Sequence, residues 1–541
     1  MSGRATLVAV LALALVWFAG LDQRKLFKPD EGRYGEIARE MVVSGDWTTP
    51  RLNGFKYFEK PALQYWMTAA AYVGFGTHEW TTRLWSALTG FFGILVTAYA
   101  ACRAFGPLAG VYAGAVLASS LLYVAVGHMA TLDMGVAFFL ALSIFAVMLA
   151  QRGGAGARAQ RGWMLVGWAA MAFAVLSKGL IGVVLPVGAV ALYLLWQRDW
   201  ALLRRLHLVS GAALFLAITV PWFVAVSMAN PEFARFFFVH EHFERFLTKV
   251  HQRYAPPWFF IPVLIVGMAP WIPSLGTALV AAVRAPEAAG FRPARFLFVW
   301  CVLVFAFFSV SSSKLPPYIL PMLPALAVLV GRALASASPR LLTVQAGLAA
   351  LGGLALVPLA LFLRYPKLAG PMLDGFRVWL IAAGVLVLAL GFASAVLAHR
   401  GLRTQAVLAL AAAGLGAGQL VLVGMDALSP AYSAYHVVER ARPALRADVP
   451  FFAVDVYDHT LPFYLGRTVT MVAYPDELEA SIAWEPEKFV TDIPAFVERW
   501  RHAPQAFALF RPKEFARVRD THDLAARVIA SDARFVIVAK P

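Results

Sequence analysis

Thirteen apolar windows recur along this chain, at about 5–21, 83–102, 107–126, 134–150, 163–177, 179–196, 206–226, 257–280, 295–311, 316–333, 341–363, 377–398 and 404–425. Windows of this kind can cross the roughly 30 Å hydrocarbon core of a bilayer as helices. Inside lipid every backbone N–H and C=O needs an internal partner, so apolar runs of this length span as helices. The expected fold is therefore a polytopic α-helical membrane protein of about thirteen spans. Composition agrees, since 60% of the 541 residues are hydrophobic and only 14% are charged. The separation is weakest at Lys178 and Gly179. The first window has a thin basic start at Arg4 and no small-residue cleavage site, so it reads as a retained signal anchor. Cys102 and Cys301 lie in or beside windows, and no disulfide framework follows from them.

The net charge is +16. In so apolar a chain this suits anionic lipids and phosphates rather than nucleic acid. With the N-terminus inside, the inward connections are 103–106, 151–162, 197–205, 281–294, 334–340 and 399–403, and each carries arginine. The outer face then receives "PDEGRY", "YFEKP", "ATLD", "SKG", "HEHFERF", "SSSKLPPY" and everything after about residue 426. Chemistry is therefore expected on the outer face, at the membrane surface.

Two outer loops are long, 22–82 and 227–256. The first opens on "FKPDEGRYGEIAREM", a charged stretch with Asp30, Arg33, Tyr34, Ile37 and Met41 on one helical face. That face turns apolar along its length, so the helix is expected to lie on the bilayer surface. A second interfacial helix is expected from Pro61. The second loop, with "FARFFFVHEHFERFLTKV", is expected to line a wet cavity. Residues 1–425 form the expected transmembrane catalytic domain. In 426–541, "VPFFAVDVY", "RTVTMVAY", "QAFALF" and "ARFVIVAK" read as strands, while "DIPAFVERWRHA" and "PKEFARVRDTHDLAARV" read as amphipathic helices. That segment is an expected soluble α/β domain. No Walker loop and no strand-linked G-x-G-x-x-G occurs, so nucleotide-driven transport has no support.

Each candidate residue has a plain reading beside a functional one. Asp30, after Pro29, fits a helix cap or a catalytic carboxylate beside the membrane. Asp133, in "HMATLDMG", offers the same two roles, and the pair could face one cavity. Arg33 and Tyr34 fit interfacial anchors or groups that orient a phosphate or sugar. Lys60, Lys178, Arg245 and Lys314 fit snorkelling cations, or four cations from four connections that grip one lipid phosphate. Tyr57 and Tyr318 fit substrate contacts or an aromatic belt. His240, Glu241 and His242, with Glu59 as partner, are candidate ligands for a divalent metal, or a surface helix with histidines.

The blocks "PDEGRYGEIAREM", "GDWTTPRLNGFKYFEKPALQYW", "ATLD", "SKG" and "SSSKLPPYILPMLPALA" resemble the aminoarabinose transferase (ArnT) family. These are membrane glycosyltransferases of the GT-C class, related to the protein O-mannosyltransferases. The resemblance runs along essentially the whole chain and is most specific in the first-loop and "SKLPPYILP" blocks. It implies transfer of 4-amino-4-deoxy-L-arabinose from undecaprenyl phosphate to lipid A phosphates, at the outer face of a Gram-negative inner membrane. It implies resistance to polymyxin and cationic peptides. It also implies a catalytic role for the acidic residue of the first outer loop, Asp30 here, with Asp133 as its match in the second.

Breaking a sugar–polyprenyl phosphate bond builds charge on the departing phosphate, which fixed cations stabilise. Lys60, Arg245 and Arg33 are the expected partners. The donor supplies the energy, so no nucleotide is expected, and one displacement inverts the anomeric carbon. Two other readings stay open: a mannosyltransferase-like enzyme using another polyprenyl-phosphate sugar, and a lipid transporter with intramembrane charges along an ion path.

Overall fold

The computed structural model describes residues 3–154, 156–244, 255–284, 290–366, 368 and 370–541, with backbone alone at 240–244. Among these residues eight helices are long and apolar enough to cross a membrane: Glu79–Phe105, Leu132–Gln151, Leu208–Ala229, Pro293–Val310, Pro316–Ala335, Pro339–Phe362, Gly370–His399 and Arg403–Tyr432. Two more expected spans are broken, Pro107–Ser119 with Leu121–Gly127 by 65° and Pro257–Gly267 with Ile272–Val283 by 114°. Pro270, within the second break, has no N–H to continue a helical ladder. Thr6–Phe18 and Ile181–Gln197 are shorter apolar helices. By length and composition, eight helices among the described residues, or up to ten if each bent pair is one span, suit a bilayer, and window 163–177 is the helix Ala157–Lys178. An apolar window records burial from water but not where the helix bends.

The C-terminal segment builds a six-stranded sheet. Its strand order is Phe489–Val490, Thr470–Val472, Phe451–Val454, Phe507–Phe510, Val536–Ala539 and Arg527–Ser531. The first four run parallel, and Val536–Ala539 pairs antiparallel with both of its neighbours. Alternate side chains go to opposite faces. Phe452, Val454, Ala508, Phe510 and Val538 pack under the helices Ile493–His502 and Pro512–His522, against Phe496, Trp500 and Phe515. Phe451, Ala453, Met471, Leu509 and Ile537 join the core shared with the rest of the chain. A sheet buried on both faces explains the continuous apolar runs "FFAV", "FALF" and "VIVA". The reading of 512–528 as one helix overran. The chain turns at Asp523, whose φ is +48°, and resumes as Arg527–Ser531.

The largest departure from expectation is the charged helix, Asp30–Ser44. It is not a half-exposed amphipathic helix. Residues 31–41 are buried throughout, against Leu63–Phe75 and Glu79–Phe105 on one side and the Leu461–Leu465 turn of the C-terminal domain on the other. Gly45, at φ +72°, returns its N–H to the Met41 carbonyl and ends the helix. The second helix begins at Leu63 rather than Pro61. Charge inside the protein must be paired. Glu31 accepts from Arg24 at 2.6 and 2.9 Å and from Arg83 at 2.8 and 3.2 Å. Burial by itself would raise the Glu31 pKa; the two guanidiniums outweigh it and hold the carboxyl far below the usual range.

Further along the helix, Glu36 accepts from Nε and Nη2 of Arg39 at 2.7 and 2.6 Å. Glu40 accepts the Gly54 N–H at 2.8 Å through Oε2. Burial and the Glu36 charge push its carboxyl up to about 8. A neutral Glu40 can donate its proton to Glu36. The folded state therefore holds this proton above the ordinary carboxylate pKa, at pH values where the unfolded chain has released it. Thermal stability is expected to fall as pH rises from about 5 to about 8, with a contribution of at most about 1.4 kcal/mol per pH unit from this group. Glu40→Gln should flatten that slope in melting curves measured across the range; an unchanged slope would show that Glu40 is not its source.

Candidate active site

Three outer connections meet beside the start of the charged helix. Asp133, second residue of Leu132–Gln151, receives the Nζ of Lys178 at 2.5 Å. Lys178 closes the helix Ala157–Lys178, and its Nζ lies 4.9 Å from the ring centre of Tyr318. Tyr318 belongs to the tight turn Pro316–Met322 after "SSSKL". The same ammonium feels the charge of Asp30. Four of the sequence-selected residues, Asp30, Asp133, Lys178 and Tyr318, thus form one group. Asp30 and Asp133 are the first and second residues of their helices, whose N-cap positions are Pro29 and Thr131.

A second layer lies behind them. Arg33 donates Nη1 to Asp30 at 3.1 Å and Nη2 to Glu477 of the C-terminal domain. Tyr34, Tyr57 and Tyr65 lie within electrostatic range of this guanidinium, and the Tyr34 and Tyr65 rings are 5.9 Å apart. Burial pushes all three phenols well above their ordinary pKa, so they stand as neutral O–H groups. Among the described residues the Nε of Arg33 and the hydroxyls of Tyr57 and Tyr65 are buried without a hydrogen-bond partner. Three unpaired donors around one carboxylate suit an oxygen-rich guest such as a sugar or a phosphate. Glu59 is close enough to bear on Tyr57 and Tyr65.

Other candidates are placed differently. Lys60 donates to the Glu59 carbonyl at 2.6 Å. Lys314 donates to the carbonyls of Ala255, at 2.9 Å, and Ser311, so it ties two outer connections together. Arg245 lies outside the described residues, as do the side chains of His240, Glu241 and His242. No cluster of three potential metal ligands occurs among the described residues. The second loop leans on both neighbours: Phe233 meets Phe58 at 5.2 Å, and Phe236 meets Trp484 of the C-terminal domain at 5.1 Å.

An apolar cavity of about 680 Å³ is lined by Val175, Gly179, Leu180, Phe223 and Phe237 among others, so its wall includes the residue that follows Lys178. Asp30, Asp133, Lys178 and Tyr318 do not line it; the chain step from Lys178 to Gly179 links it to the polar group. Tyr65 and Glu477 belong to the site and were missed in the sequence. Tyr65 sits in an apolar helix with nothing to mark it out, and Glu477 is 444 residues away from Arg33 along the chain.

Comparison with known proteins fits this geometry. The family model described as aminoarabinose transferase C-terminal domain matches residues 437–540, and that for dolichyl-phosphate-mannose-protein mannosyltransferase matches residues 5–237. The undecaprenyl phosphate-alpha-4-amino-4-deoxy-L-arabinose arabinosyl transferase 2 of Pseudomonas fluorescens is 36% identical over 69% of this chain and 68% of its own length. The corresponding protein of Pseudomonas aeruginosa is 36% identical, the match spanning 60% of this chain and 58% of that relative. The crystal structure of ArnT from Cupriavidus metallidurans bound to undecaprenyl phosphate superposes with a TM-score of 0.94 at 39% identity, over 99% of this chain and 98% of that one. An oligosaccharyltransferase from Archaeoglobus fulgidus shares the fold alone, with a TM-score of 0.52 at 12% identity over 94% of this chain and 70% of that one. The expectation of a polytopic GT-C membrane fold with a C-terminal α/β domain holds, and the chain belongs to the aminoarabinose transferase family.

Proposed function

We propose that the protein transfers 4-amino-4-deoxy-L-arabinose from undecaprenyl phosphate to a phosphate of lipid A. The observation that carries this reading is the meeting of Asp30, Asp133, Lys178 and Tyr318 beside an apolar cavity. The cavity suits a prenyl chain, and the adjoining polar group suits the sugar phosphate. An ionised lipid A phosphate needs no base. Its oxygen attacks the anomeric carbon, the bond from that carbon to the carrier phosphate breaks, and the phosphate leaves with the electron pair. In this reading Arg33 and Lys60 meet the charge that develops there, Arg245, outside the described residues, is a further candidate for it, and Lys178 and Tyr318 line the approach. Asp30 orients the acceptor or pairs with the amino group of the sugar. Glu59 and His240 are the residues that would hold a divalent cation.

The site faces the periplasm across a Gram-negative inner membrane in this reading. The first outer loop and the C-terminal domain share one side, joined by Lys28 N–H to the Tyr432 carbonyl at 2.9 Å and by the Asn53 amide to Val469 at 2.8 and 2.7 Å. The arginine-bearing connections take the other side. An impermeant thiol reagent should therefore label cysteines introduced at 480–500 in intact spheroplasts; labelling only after lysis would reverse the orientation.

Lipid A from cells with and without the protein, compared by mass spectrometry, tests the activity. A mass increase matching a pentosamine is expected. An unchanged lipid A with a hexose on another glycan or on protein would favour the mannosyltransferase-like reading.

A further inference from the structure

We infer that the C-terminal domain supplies a positioning residue to this site: Glu477, acting through Arg33. The inference rests on the reading of Asp30 and its neighbours as the transfer site. Arg33 is a fork with two occupied ends. One reaches Asp30 Oδ1 at 3.1 Å and the other reaches Glu477. The Arg33 side chain is 7% exposed and that of Glu477 20%, whereas Asp30 keeps 42%. Glu477 is itself held, because its other oxygen meets His459 Nε2 at 3.1 Å.

The sheet explains how these residues arrive. Glu477 lies in the short turn Asp476–Leu478 that follows the strand Thr470–Val472. His459 follows the neighbouring parallel strand, Phe451–Val454. Both connections leave the carboxyl ends of parallel strands, where open α/β sheets place their ligand-facing loops. Here those loops clamp the first turn of the charged helix. The fit is closest at Gly32: a Cβ there would lie 2.6 Å from the His459 carbonyl carbon and oxygen and 2.7 Å from Thr460 Cγ2. The domain therefore touches the helix one residue before Arg33.

A guanidinium beside a carboxylate tends to close on it with two parallel bonds. That arrangement would cover the face of Asp30. By claiming one end of the fork, Glu477 leaves Arg33 a single bond to Asp30 and fixes the direction from which the carboxylate is approached. Without the Glu477 charge, the fork is free to close.

Steady-state transfer from undecaprenyl-phosphate-linked aminoarabinose to lipid A, by the full-length protein in detergent, tests this. Glu477→Ala should lower kcat by about tenfold to a hundredfold, the range of a charge-assisted contact, with the donor KM changed by about twofold or less. Glu477→Asp should recover part of the loss. Arg33→Ala combined with Glu477→Ala should be no slower than Arg33→Ala alone, because Glu477 acts only through Arg33. Asp448→Ala, on the exposed surface of the same domain, should behave as the unsubstituted protein. Glu477→Gln serves if the alanine variant does not fold. Normal kcat in a folded Glu477 variant, additive losses in the double variant, or unfolding of both Glu477→Ala and Glu477→Gln would each overturn the inference. Asp30→Asn, assayed alongside, separates the two levels: an active Asp30→Asn removes the site itself, whereas an inactive Asp30→Asn with active Glu477→Ala removes only the positioning role.

Discussion

Asp30→Asn is expected to abolish transfer in a protein that folds normally. Asparagine keeps the size of the side chain and one oxygen for Arg33. The structural cost is small for three reasons. The Asp30 side chain is 42% exposed, its bond to Arg33 is a single i,i+3 contact at 3.1 Å, and asparagine serves at a helix start as well as aspartate does. Exposed pairs of this kind contribute about 1 kcal/mol or less. The loss of negative charge is felt in the site instead. It removes one of the two carboxylates that face Lys178 and half of the balance around Arg33. A preorganised charge that fixes a reacting group in a closed site is worth roughly a hundredfold to a thousandfold in rate. Transfer should therefore drop by at least about a hundredfold, with gel filtration and melting unchanged. Asp133→Asn is a sterner case. It leaves Lys178 without its carboxylate in a site where both side chains are about 15% exposed, at 15% and 16%. It should lower both activity and stability. Full activity of Asp30→Asn would take this carboxylate out of the mechanism.

Much of this architecture was legible because single residue types carry strong signals. Long apolar runs have one physical outlet, the spanning helix, and alternating or continuous β-branched and aromatic runs gave the strands of the C-terminal domain. Asp30, Asp133, Lys178 and Tyr318 stood out as charged or phenolic groups at the ends of apolar elements, and the structure groups them. Three things were not legible. A break such as the 114° bend near Pro270 leaves the apolar window intact. The burial of the charged helix depends on Arg24 and Arg83, which come from other elements, so its own sequence reads as a surface helix. Glu477 sits in an ordinary acidic turn, "YPDELEA", and its role exists only because the sheet carries it to Arg33. Lys314 adds a role that its own sequence did not show: two of its three donors hold the backbone carbonyls of Ala255 and Ser311.

The largest stability effect should come from the residue next to Asp30. Glu31→Gln is expected to destabilise the protein by about 3–5 kcal/mol, the cost of breaking a buried ion pair on one side only. Arg24 and Arg83 are 3% and 1% exposed, and Glu31 is the carboxylate that both face. Glutamine fills the same volume and keeps part of the hydrogen bonding, but two guanidiniums would remain with no counter-charge. They cannot simply rotate into water. Arg83 is also committed to the carbonyls of Leu21, Arg24 and Lys25 at 2.7, 2.7 and 3.0 Å. The effect reaches the site because Glu31 also accepts the Ala130 N–H at 3.3 Å, and Arg24 donates to the His128 carbonyl at 3.3 Å. Those two residues lead into "ATLD", so this network joins the helix of Asp30 to the connection that bears Asp133. Replacing Arg24, Glu31 and Arg83 together by apolar residues of similar size should recover much of the stability, since no charge is then stranded, but should leave the two carboxylates less well registered. Melting curves in detergent, with transfer measured on the folded fraction, check both parts. A Glu31→Gln curve that overlays that of the unsubstituted protein would mean that water or another group already serves these arginines, and the network would lose its structural role.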